Sequence, residues 1–141
     1  MSEKILSRKE IKFGVEQDEK FKVPVGRILE DKIAIITGCS SGLGGATTRA
    51  FLEAGAKVFG CYFSRADSRL YPNAIKDIYG FVHQYCYHHE FSGLDLDIAH
   101  ESSAEIIVEN AIKKFGKIDI LGNFAGFAYV KNHRSERLWH N

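Results

Sequence analysis

The sequence predicts an α/β chain built on a parallel sheet that is covered by helices on both faces. Three observations predict it. Short β-branched runs alternate with segments of helical period. A glycine-rich turn joins the first such run to the first helix, and the last helical segment carries both a start and a stop signal. The 141 residues suit one domain, and 45% hydrophobic with 26% charged residues fits a packed core better than a disordered chain.

The elements follow in order. Residues 1–30 read as a polar N-terminal extension, dense in Lys, Glu and Asp and without a sustained period, ahead of a domain over 31–141. Lys32 to Thr37 is a strand buried on both faces, because it has few polar breaks. A helix follows with Leu43, Ala46, Thr47, Ala50, Phe51 and Ala54 on one stripe, stopped by Gly55. Lys57 to Tyr62 is the second strand. Pro72 suits the first turn of a second helix, whose stripe is Ile75, Ile78, Tyr79, Val82 and Cys86, weakened by Gly80. Phe91 to Leu96 is the third strand. Ser102-x-x-Glu105 then forms a capping box for a helix with Ala104, Ile107, Val108, Ala111 and Phe115 on one face and Gly116 as its C-terminal cap. Ile118 to Gly122 is the fourth strand.

The first strand ends in Thr37-Gly38-Cys39-Ser40-Ser41-Gly42-Leu43-Gly44. Gly38 permits a tight turn off the strand, Gly42 lets a diphosphate approach the backbone, and Gly44 lets the helix pack close to the sheet. The helix start offers unpaired N–H groups and a partial positive charge to phosphates, and Ser40 and Ser41 add hydroxyl donors. A glycine turn that merely joins a strand to a helix is the plainer alternative; the order strand, turn, helix argues against it.

Thr37-Gly38-x-x-x-Gly42-Leu43-Gly44 resembles the Thr-Gly-x-x-x-Gly-Ile-Gly signature of the short-chain dehydrogenases/reductases. Two later stretches agree in order and spacing. Leu96-Asp97-Ile98 resembles the family's Asp-Val after strand three, and Asn123-Phe124-Ala125-Gly126 resembles its Asn-Asn-Ala-Gly after strand four. The resemblance spans residues 31–126. It implies a Rossmann-like doubly wound sheet, here truncated after about four strands in the order 3-2-1-4. It also implies a nicotinamide dinucleotide held by Gly38, Ser40, Ser41, Gly42, Leu43 and Gly44, with Asp97 and Ile98 at the adenine and Asn123, Ala125 and Gly126 lining the adenosine side. Phe124 departs from the pattern, since a phenyl ring cannot hydrogen-bond as the second asparagine does, and weaker cofactor binding is expected.

NAD-dependent members of this fold place an acid about 20 residues past the glycines, against the ribose 2′-OH. Here Tyr62 stands in that place, with Ser64 and Arg65 after it. Arg65 suits a 2′-phosphate through a charge-assisted pair, so NADP is expected in preference to NAD. In the family, chemistry is done by a Ser and a Tyr-x-x-x-Lys pair. No Tyr-x-x-x-Lys occurs in these 141 residues, so the chain alone is expected to bind dinucleotide without turnover. A small-molecule substrate would then require completion by a further segment. A non-catalytic dinucleotide-binding or partner-docking module is the alternative reading. Strand four would be an open edge that invites self-association.

Other classes are disfavoured. A formal charge of +1 offers no field for nucleic acid or an anionic membrane, and the apolar runs are strand-sized. Three widely spaced cysteines, Cys39, Cys61 and Cys86, make a poor disulfide framework and suit a reducing cytoplasm. Met1-Ser2-Glu3-Lys4 leads into no apolar signal segment. The cluster His83, Cys86, His88 and His89 has ligand chemistry suited to zinc but no second ligand pair at finger-like spacing, so it reads as a loop cluster beside a packed helix.

Overall fold

The computed structural model describes residues 26–126. Four strands and four helices follow one another as β1 (Ile33–Thr37), α1 (Gly42–Glu53), β2 (Lys57–Tyr62), α2 (Ser64–Leu70), α3 (Ala74–Gln84), β3 (Phe91–Asp95), α4 (Ser103–Phe115) and β4 (Ile120–Asn123). All neighbouring strands are parallel, in the order β3-β2-β1-β4. This is the predicted doubly wound sheet. Ile33 pairs with Lys57 and Thr37 with Cys61 on one side of β1; on the other, Ala34 pairs with Ile120 and Thr37 with Asn123.

β1 is buried along its whole length, because both of its faces are covered. Ala34 and Ile36 face one layer with Leu52 of α1, Ile78 and Val82 of α3, and Val58 and Phe91. Ile35 faces the other layer with Phe59, Cys61, and Ile107 and Ala111 of α4. Each fully buried Ile or Leu side chain contributes roughly 1.5–3 kcal/mol relative to exposure. The first layer has two helices over it and the second has only α4. The second is therefore less covered, with Leu121, Ile98, Val108 and Ile112 exposed.

Several local expectations need correction. The buried side of α1 is Gly44, Gly45, Thr48 and Leu52, while Leu43 is 76% exposed. Close packing onto the strands selects the glycine stripe, where a larger side chain has no room; Phe51 alone of the expected stripe packs against the core layer from a half-buried position. Helix α2 was not anticipated, since Ser64–Leu70 has no apolar period. Pro72 lies in the turn before α3 and outside the helix, and Cys86 is exposed past its end with φ 59°, so neither plays the part expected of it. The capping box does not form: Ser102 has helical backbone angles and makes no side-chain cap, and the Ser103 hydroxyl instead donates to the Asp97 carbonyl at 2.6 Å. Gly116 does close α4, at φ 88°. β4 begins two residues later than expected, at Ile120.

Of the polar extension, residues 26–30 form a turn tied to the end of α1 by the Leu29 amide and Ala54 carbonyl, at 2.9 Å. The remainder of that segment and the polar tail Lys131–Arg137 lie outside the described residues. No helix of the described residues is long and apolar enough to cross a membrane.

Candidate functional site

The carboxyl ends of β1 and β4 converge on the glycine turn. Gly38 leaves β1 at φ 67°, a conformation that side chains resist, and a Cβ there would stand 2.9 Å from the Ala125 backbone. Ser41 precedes α1 in extended conformation, with its hydroxyl uninvolved in a cap. Gly42 opens the helix at φ 53°, and a Cβ built on it would meet nothing within 4 Å. The space over the first turn of α1 is therefore open, and no acidic side chain lies in that turn. Backbone N–H groups with no partner and the positive end of the helix face this space, which is the geometry that receives phosphate oxygens.

The loop after β4 is held to this turn by Thr37. Its hydroxyl oxygen accepts the Phe124 and Ala125 amides, each at 3.2 Å. The Phe124 amide also reaches the Thr37 carbonyl, at 3.2 Å. Asn123 and Ala125 thereby stand beside Gly38, and Gly126 closes the described loop. Phe124 turns its ring over Gly122, where a Cβ would meet it at 2.8 Å.

Two concavities flank the turn. One, of about 410 Å³, is lined by Ser40, Ser41, Gly42, Arg49, the Tyr71–Ala74 segment and Asp77. The other, of about 500 Å³, lies on the α4 side and joins Thr37 and Asn123 to Ile98, Leu121 and Val108. Ile98, 42% exposed, and Asn123 both line this cavity. Asp97 sits just before it. One of its carboxylate oxygens accepts the Ala99 amide at 2.9 Å, and the other lies 4.0 Å from His100 Nε2.

At the end of β2 the structure explains what the absent acid is replaced by. The Tyr62 and Tyr79 hydroxyls are 3.4 Å apart, their rings meet edge to face at 6.2 Å, and both lie over Gly93. Burial, together with the Tyr79 phenol, raises the Tyr62 hydroxyl above its ordinary range, so it stays neutral. Arg65 is exposed on α2 and makes no ion pair among the described residues.

Two acidic residues escaped the sequence reading. The Asp67 carboxylate accepts the Ser40 hydroxyl, which is 3% exposed. The Ser40 proton is thus committed to Asp67, leaving the Ser40 backbone for any phosphate. Asp95 accepts the Ser64 amide at 3.0 Å. No spacing rule connects either carboxylate to a partner 27 or 31 residues away. In the histidine cluster, the His83 and His88 rings meet edge to face at 5.5 Å. No three potential metal ligands come together among the described residues.

Comparison with known proteins places this geometry. A profile of the short chain dehydrogenase family matches residues 32–140. The chain is 38% identical over 100 residues to the short-chain dehydrogenase/reductase olcF of Penicillium canescens, covering 70% of this chain and 33% of that protein. It is 35% identical over 97 residues to the 3-oxoacyl-(acyl-carrier-protein) reductase FabG of Salmonella typhimurium, covering 69% and 35%. The chain spans about a third of the length of these relatives. Among solved structures, the C-domain of a bacterial malonyl-CoA reductase with NADP superposes at a TM-score of 0.59 and 28% identity, over 72% of this chain and 16% of that one. Apo glucose dehydrogenase of Caenorhabditis elegans superposes at 0.59 and 29%, over 71% and 40%.

Proposed function

The chain belongs to the short-chain dehydrogenase family of oxidoreductases, and we propose from that premise that residues 31–126 hold the adenosine and diphosphate of NADP(H). The observation that carries the proposal is the Gly38–Gly44 bend, with its open first helical turn and the Ala125 backbone beside it. In this reading the amides at the start of α1 and the Ser41 hydroxyl bind the diphosphate. Asp97 and Ile98 border the adenine, and Asn123, Ala125 and Gly126 border the adenosine.

Preference for NADP rests on two features. The carboxylate that would bind a ribose 2′-OH is replaced by a neutral Tyr62 packed on Tyr79, and Arg65 stands exposed at the start of α2. The malonyl-CoA reductase domains that superpose on this chain were solved with NADP, which supports the choice. When bound, the cofactor supplies hydride exchange with a C–OH or C=O carbon. These 141 residues contain no Tyr-x-x-x-Lys to move the accompanying proton, so the proposal is dinucleotide binding without turnover by this chain alone.

Fluorescence titration of the purified chain with NADPH and NADH tests the binding claim. Tighter NADPH binding, weakened in Arg65→Ala, is expected; tighter NADH binding overturns the preference. Sustained NADPH oxidation with a panel of ketones and aldehydes would overturn the absence of turnover.

A further inference from the structure

Helix α2 has seven residues, no apolar period and no side-chain cap, and a helix that short is marginal without tertiary support. Its polar tethers to other elements, among the described residues, are two. The Ser64 amide donates to Asp95 at the end of β3, at 3.0 Å. The Asp67 carboxylate accepts the hydroxyl of Ser40, inside the glycine turn itself. The second tether is the unusual one, because it places a negative charge against the turn that receives phosphate. A carboxylate there opposes anion binding unless it contributes something else. It also presses on its surroundings: burial first, then the Cys61 thiol and then Asp67 push the Cys39 thiol up to about 12.

We propose that Asp67 is a positioning residue for discrimination between the two nicotinamide dinucleotides. Its charge-assisted bond to Ser40 locks α2 against the glycine turn and so fixes Arg65, two residues earlier on the same helix, where it reads the 2′-phosphate. Residues i and i+2 of a helix do not face each other, so Asp67 anchors the helix without neutralising Arg65. Ser40 is nearly inaccessible, which makes it an anchor and not a ligand for the 2′-phosphate. The inference deepens the NADP reading and rests on it.

The test is the ratio of Kd for NADH to Kd for NADPH, measured by titration of the wild-type chain and of Arg65→Ala, Asp67→Ala, Asp67→Asn and Ser40→Ala, with circular dichroism as the check on folding. Asp67→Ala and Ser40→Ala are expected to lower the ratio by about fivefold or more through lost preorganisation, with NADH affinity held or slightly improved. Asp67→Asn, which still accepts the Ser40 hydroxyl, is expected to retain most of the ratio. A general structural role would weaken both dinucleotides together, and that outcome overturns the proposal. So does an unchanged ratio in folded Asp67→Ala, or in Ser40→Ala where Asp67→Ala does not fold, provided that Arg65→Ala lowers it. If Arg65→Ala also leaves the ratio unchanged, or wild type binds neither dinucleotide, the underlying NADP reading fails instead.

Discussion

The Thr37 hydroxyl oxygen accepts the Ala125 amide at 3.2 Å and ties the end of β1 to the loop after β4. The same oxygen accepts the Phe124 amide, so one side chain organises two backbone groups at the mouth of the crevice. Thr37 is 6% exposed, and water cannot readily replace it. Thr37→Val keeps the shape and removes the acceptor, leaving the Ala125 amide without its partner. A loss of about 1–2 kcal/mol in urea denaturation is expected, together with weaker dinucleotide binding. Thr37→Ser should restore most of both. A midpoint unchanged in the valine variant would show that the clasp contributes nothing.

Gly44 and Gly42 separate two reasons for glycine. A Cβ at Gly44 would overlap the Gly38 carbonyl oxygen and stand 3.1 Å from the Phe124 Cβ. Because the obstacle is backbone, Gly44→Ala is expected to cost about 2–3 kcal/mol or more and to abolish cofactor binding. Gly42 has space around it but a φ of 53°, so Gly42→Ala carries only the left-handed penalty of about 1–2 kcal/mol. Thermal denaturation of the two variants should rank them in that order. Equal losses would mean that conformation, not close approach, governs the turn.

Sequence reasoning reached the strands and the glycine turn because both depend on local signals: β-branched runs, fixed glycine spacing and the Gly116 stop. The sheet order came with the family resemblance that the glycine turn carries. It failed where partners are distant. Nothing near Asp67 in the sequence points to Ser40, and Ser64–Leu70 lacks the period that marks a helix. The stripe on α1 was misread for a related reason. Apolar periodicity selects Leu43 and Ala46, but the strands admit only Gly44, Gly45 and Thr48, so the buried face of α1 is chosen by fit. The capping box at Ser102 was also lost to a tertiary competitor, since the neighbouring Ser103 hydroxyl bonds to Asp97 across the loop.

β4 is hydrogen-bonded to β1 alone among the described strands, and Leu121 on it is 60% exposed and lines a cavity with Ile98 and Val108. An open strand edge next to an apolar face favours pairing between copies. Analytical ultracentrifugation of this chain should show association that grows with concentration. Leu121→Lys should shift it towards monomer. A monomer at all accessible concentrations would refute the expectation.

Asp119 fastens the approach to β4. Its carboxylate accepts the Lys117 ammonium at 2.8 Å and the Ile33 amide at 2.9 Å. Lys117 first, then the Ile33 amide, hold its carboxyl below the ordinary range. A depressed folded value means that the stabilisation is present above the unfolded value of about 4. It fades as pH falls through that value towards the lower folded one. Asp119→Asn should therefore lower the neutral plateau and flatten the acid limb of a stability–pH profile below about pH 4, so that variant and wild type converge in acid. An acid limb identical to wild type would remove Asp119 from the account.

The three thiols should divide by burial. Cys39 and Cys61 are buried; desolvation is the main cause that raises each to about 12. Cys86 is exposed past the end of α3. Since the thiolate is the nucleophile, the two buried groups are protonated and shielded near neutral pH. One thiol per native chain should react promptly with a disulfide reagent at pH 8, and all three after denaturation. Cys86→Ser should abolish the fast phase. The same shifts carry a sign for stability. A folded value raised above the ordinary thiol value of 9.0 leaves the native state fully favoured below pH 9. Above it the unfolded thiols ionise first, and stability declines as pH climbs towards about 12. Cys61→Ala should lessen that alkaline decline, at the cost of a small cavity beside Phe59. Rapid labelling of two or three native thiols would show that the sheet opens far more readily than its packing implies.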